Sequence, residues 1–157
     1  MKISVHTNIL VRAVVQDDPV QAKKAITILR DASLIAVALP SLCELVWVLR
    51  RVYGFKTVDI SQAIRALGTT ANLEVNREAM SAGLAMLEDG GDFADGVIAH
   101  EGYCLGAETF VFLIKRRLGD WLRAGSRHGY FSESNLYRRS TLEPARRHRS
   151  EQYFTCS

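Results

Sequence analysis

At 157 residues, 48% of them apolar and 24% charged, the chain suggests one domain with enough mass for a hydrophobic core. No apolar run approaches the ~20 residues of a membrane span, and the opening Met1-Lys2-Ile3-Ser4-Val5 has no signal-peptide layout. Three scattered cysteines, Cys43, Cys104 and Cys156, form neither a disulfide framework nor a zinc pattern, so a cytoplasmic setting is expected. The net charge of +3 is unevenly spread: residues 1–112 hold ten Lys/Arg against thirteen Asp/Glu, and residues 113–157 hold ten against four. A basic tail on an acidic body can signal nucleic-acid binding, although a weakly structured, solvated tail is the commoner explanation.

In chain order, Ile3 to Val5 reads as a short buried strand. Pro19 to Arg30 has the apolar spacing of an amphipathic helix, with Lys23 and Lys24 on its outer face. Leu34 to Leu39 is a continuous apolar strand of the kind buried in parallel sheets. Pro40 opens a helix over Leu42 to Val52, stopped by Gly54, and Ile60 to Leu67 forms a further helix. A short strand, Leu73 to Val75, precedes a helix over Arg77 to Leu87, which Gly90-Gly91 ends. Asp92 to Cys104 is the next helix, and Thr109 to Leu113 a last buried strand. Strands alternating with helices predict a parallel α/β sandwich. Beyond Leu113 the periodicity fails: only Lys115 to Arg123 could be helical, and residues past about 124 are expected to lack regular structure.

Three segments carry candidate chemistry. His6-Thr7-Asn8 follows the first strand, Glu44 lies early in the helix after the second, and Asp92 and Asp95 open a later helix three positions apart. Ligands of open parallel sheets bind beyond the carboxyl ends of the strands. Carboxylates gathered there suit Mg²⁺ or Mn²⁺, which favour hard oxygen ligands. Plainer roles compete. Ser41-Leu42-Cys43-Glu44 fits a capping box, Asp92-Phe93-Ala94-Asp95 fits a helix cap, and His6 fits a hydrogen-bonded core histidine.

Taken together, the segments resemble a known family. Ile3-Ser4-Val5, followed by Thr7-Asn8-Ile9-Leu10, resembles the opening motif of PIN-domain nucleases. Leu39-Pro40-Ser41-Leu42-Cys43-Glu44-Leu45 resembles the segment bearing their second acid, and Asp92 to Ala99 the helix bearing their third. Over residues 1–112 the chain looks like the VapC-type toxins of bacterial toxin–antitoxin pairs. The resemblance implies a PIN-like three-layer α/β/α sandwich around a parallel sheet, Mg²⁺-dependent cleavage of RNA, homodimerisation, and a cognate antitoxin as partner. It implies that Glu44 and Asp95 match the second and third acids and that Asp92 is auxiliary. It also implies that Thr7 and Asn8 line the site and that the three carboxylates hold Mg²⁺ weakly.

Two of the family's four acids are missing. His6 stands where the first is expected, and Phe112-Leu113-Ile114 replaces the segment that carries the fourth. A neutral imidazole offers one lone pair and no negative charge, so it is a poor Mg²⁺ ligand. A codon choice for Phe112 to Trp121 exists that restores a family-like Phe-Asp-Gln ending when read two bases later. Residues 113–157 are accordingly read as a separate, out-of-frame basic tail. The leading expectation is a ribonuclease toxin with impaired catalysis. The alternatives are a non-catalytic protein that keeps the antitoxin or dimer surface, and an RNA-binding protein that works through its tail.

Overall fold

The computed structural model describes residues 1–113 and 137–140. By internal contact the chain divides into units of residues 1–101 and 102–157.

The first unit is built on three parallel strands, β1 (Lys2–Ser4), β2 (Leu34–Ala36) and β3 (Leu73–Glu74), in the order β1-β2-β3. Ile3 pairs with Ile35, and Ile35 with Leu73, so their side chains share one face. Two helices, α1 (Thr7–Val15) and α2 (Pro19–Asp31), connect β1 to β2. Helices α3 (Leu39–Arg51) and α4 (Thr57–Gly68) connect β2 to β3, and α5 (Arg77–Glu88) and α6 (Phe93–Cys104) follow. Helices flank the sheet in a three-layer α/β arrangement, as the alternation predicts. No helix among the described residues is long and apolar enough to cross a membrane.

Local chemistry sets the helix starts. Asp18 accepts the amides of Val20 and Gln21, with Pro19 in the first turn of α2, and Asn76 accepts the Ala79 amide to cap α5. The core is a single cluster in which Leu10, Ile35, Leu42, Leu45, Leu49 and Phe93 are fully enclosed. Asn72 stitches β3 to the end of α2, its side-chain amide donating to the carbonyls of Leu29 (3.1 Å) and Ala32 (2.8 Å).

Three features depart from the sequence reading. Helix α1 occupies Thr7–Val15, where no helix was expected. Its five β-branched residues suggest a strand, but Leu10 and Val11 bury a helical face. Second, α3 begins at Leu39, behind Ala38, which makes no side-chain cap bond; β2 therefore ends at Ala36, and Ser41 lies inside the helix. Third, the apolar run Phe110–Leu113 forms a strand, β4, but not in the parallel sheet. It pairs antiparallel with β5 (Tyr137–Ser140), Val111 opposite Arg139. An apolar run fixes strand character and leaves the partner open, and here the partner comes from the stretch expected to lack structure. The expected helix at Lys115 to Arg123 and, apart from Leu113 and β5, the rest of the basic tail lie outside the described residues.

Candidate functional site

Because β1 and β2 run parallel, the segments that leave them emerge at the same edge of the sheet. Val5 donates its amide to the Ala36 carbonyl, extending the ladder one residue past β1. The chain then enters α1, with His6 as its N-cap: His6 Nδ1 accepts the Asn8 amide at 3.2 Å. His6 is exposed, so it is a surface cap rather than the core histidine considered from sequence.

Thr7, the next residue, is only 2% exposed. Its hydroxyl donates to Glu44 Oε2 at 2.6 Å and lies 3.3 Å from the Ser41 carbonyl. Glu44 sits in the second turn of α3, where its side chain reaches α1 and does not fold back on its own helix start. The capping box expected at Ser41–Glu44 is therefore absent, because α3 starts too early for Ser41 to be its cap. A buried hydroxyl holding a carboxylate in a 2.6 Å bond is a charge-assisted contact that fixes the acid's orientation.

Around this bond lies an open cleft of about 170 Å³, lined by His6, Thr7, Asn8, Val11, Arg12, Glu44, Val48 and Tyr53. Its far wall is braced. Arg12 donates to Asp17 at 2.6 Å, and the Tyr53 hydroxyl donates to the same carboxylate at 2.8 Å. The Arg12 guanidinium, and then the Tyr53 hydroxyl, hold the Asp17 carboxyl below its ordinary range. In return, the hydrogen bond to Asp17 pushes the Tyr53 phenol up. Arg12, Asp17 and Tyr53 were not singled out from sequence. Their signal is tertiary, since Asp17 and Tyr53 are joined only when α3 turns back toward the end of α1.

The second acidic group sits at the start of α6. Asp92 Oδ1 accepts the Ala94 amide at 2.9 Å, which is the capping role weighed for it from sequence. Asp95, one turn on, is partly buried, and burial pushes its carboxyl above the ordinary Asp range, with the Asp92 charge adding to the shift. Asp92 also acts across to α3: after burial, its charge is the next cause raising the Cys43 thiol.

Glycine sets this corner. A side-chain carbon on Gly96 would collide with the Ala82 carbonyl and lie 2.8 Å from the Gly83 backbone, so α5 and α6 approach backbone to backbone. The Phe93 ring covers Gly83, where an added carbon would meet it at 2.7 Å. Arg50 of α3 donates to the Gly91 carbonyl at 3.4 Å, tying the loop ahead of Asp92 to the helix that carries Glu44.

The structure thus gathers His6, Thr7, Asn8 and Glu44 in one cleft, while Asp92 and Asp95 form a neighbouring pair that does not line it. Hard carboxylate oxygens suit Mg²⁺ in kind. The arrangement does not fit a tight site, however. Glu44 alone of the three carboxylates lines the cleft, Asp92 is engaged as a helix cap, and Asp95 is partly desolvated beside the Asp92 charge. Among the described residues no group of three or more His, Cys, Asp or Glu side chains is disposed to hold a metal. Comparison of the chain with family models, with curated proteins and with solved structures yields no match.

Proposed function

We propose that this chain is a PIN-type protein of the toxin class that engages RNA in the β1–α1/α3 cleft and has lost most of its hydrolytic power. The observation that carries the reading is the Thr7–Glu44 hydrogen bond. It joins the two earliest segments of the PIN resemblance at the carboxyl edge of a parallel sheet, where such folds place their ligands. Glu44 is the acid best placed to orient a nucleophilic water, with Thr7 holding its second oxygen. His6, in the first acid's place, uses Nδ1 to cap α1 and brings no carboxylate. In this reading Mg²⁺ or Mn²⁺ binds weakly, and hydrolysis is correspondingly slow.

A non-catalytic relative that keeps its protein-binding surface is the second reading. Trp47 and Val52 favour it, since both stand more than half exposed at α3 and its end. In that case the partner is the antitoxin or a second copy of the chain. Single-turnover cleavage of a mixed RNA with added Mn²⁺ separates the two. Slow cleavage that Glu44→Gln abolishes supports the nuclease reading, and His6→Asp should then tighten Mn²⁺ binding. Cleavage unchanged by Glu44→Gln rejects the role given to Glu44, and none at saturating Mn²⁺ rejects the nuclease reading in favour of the binding protein.

A further inference from the structure

The cleft beside Glu44 contains more than an acid. Buried Val11 and half-buried Val48 and Tyr53 line it together with exposed His6 and Asn8 and half-buried Arg12. At about 170 Å³ it is smaller than the roughly 300–1,000 Å³ typical of drug-sized ligands, so it suits a single ring system. The one aromatic wall is anchored, because the Tyr53 hydroxyl and the Arg12 guanidinium both donate to Asp17. That anchoring has two effects. It fixes the ring before any ligand arrives, which lowers the cost of ordering it on binding. It also neutralises Arg12, so this corner offers no spare cation for a phosphate. An apolar floor, a fixed aromatic wall and a rim of amide and imidazole groups form a site for a neutral, flat heterocycle with hydrogen-bonding edges.

We propose that the Val11–Val48–Tyr53 end of the cleft is a nucleobase subsite, which seats one unstacked base of single-stranded RNA against Tyr53 with the adjoining phosphodiester toward Glu44. The inference rests on the RNA-engaging reading of the cleft and adds to it the residue that grips the base. Single-stranded RNA is commonly held by stacking unpaired bases on aromatic side chains, with hydrogen bonds to base edges. Asn8 and His6 supply the edge contacts, and Val11 and Val48 exclude water from the face opposite the solvent.

The test is binding of a short fluorescent single-stranded RNA to the full chain in EDTA, compared with a matching oligonucleotide of abasic sugars. Without metal, affinity is read apart from cleavage. The base-bearing strand should bind at least about fivefold tighter than the abasic one. Tyr53→Leu should remove that preference, and Tyr53→Phe should keep most of it. Val48→Phe, which fills the cleft, should remove it independently if Tyr53→Leu fails to fold. Equal binding of the two strands by the native chain overturns the proposal. So does a preference that survives Tyr53→Leu and Val48→Phe, or one lost as fully in Tyr53→Phe as in Tyr53→Leu. Glu44-dependent cleavage without any Tyr53-dependent base preference sinks the subsite and spares the nuclease reading. A Tyr53-dependent preference in a chain that cleaves nothing does the reverse.

Discussion

At the β1–α1 corner a buried hydroxyl grips the Glu44 carboxylate, while at the head of α6 Asp92 is engaged by a backbone amide and Asp95 stands partly desolvated beside a like charge. Both corners present acids near a helix start, and from sequence both look equally like caps or ligands. The difference lies in the donor. A side-chain hydroxyl brought from another element points the acid outward into a cleft, whereas an amide of the acid's own helix turns it into a cap. Which role an acid takes is decided by where its helix begins relative to it, and α3 begins two residues ahead of Ser41, the cap expected from sequence.

The largest effect expected from breaking this contrast is at Gly96. Gly96→Val forces α5 and α6 apart and should destabilise the domain by about 3 kcal/mol, the upper range for overpacking at a tight contact. Urea unfolding measures this. A loss under 1 kcal/mol would mean that the crossing relaxes freely, and that the α6 acids are not held by it.

Thr7→Val keeps the shape and removes the donor. It should cost about 1 kcal/mol, since Glu44 is exposed and water replaces the lost bond. Equal stability of Thr7→Val and the native chain would show that the hydroxyl does not restrain Glu44. Asp92→Ala should cost a similar ~1 kcal/mol through loss of the cap, and Asp92→Asn much less, because the amide oxygen still accepts from Ala94. Equal losses in both variants would contradict the capping role.

The smallest effect belongs to Asp95. Its carboxyl titrates above the ordinary Asp range in the folded chain, so the folded state binds its proton more tightly than the unfolded state does. Stability therefore falls as pH rises from the ordinary Asp range through the raised value. Asp95→Asn should stabilise the domain slightly at neutral pH, and the gain should vanish in acid below the ordinary Asp range. Thermal melts of both proteins across that window check it, and a gain independent of pH would refute the assignment.

Much of the scaffold was legible from sequence because local signals agreed with the fold. The apolar spacing from Pro19 announces α2, Gly90-Gly91 marks the end of α5, and the apolar run at Leu34 announces the central strand. Helix α1 was hidden because Thr7, Ile9, Val11, Val14 and Val15 have strand-like side chains, and only burial against α2 and α3 makes them helical. The cleft was half legible. Thr7, Asn8 and Glu44 were marked by the resemblance, but Arg12, Asp17 and Tyr53 are ordinary surface types whose meaning appears only once α3 has turned back. The partner of β4 was illegible for a similar reason, since Tyr137–Ser140 carries two arginines and no alternation that marks a strand.

Asn72 holds two carbonyls at the end of α2 with the two protons of one amide. That makes it a point where the loss of one amide would register. Deamidation to aspartate removes both protons and sets a negative charge against two carbonyl oxygens, turning attraction into repulsion at the junction of α2 and β3. A single hydrolytic event there, invisible in mass beyond one unit, would loosen the third strand and shorten the working life of the folded chain.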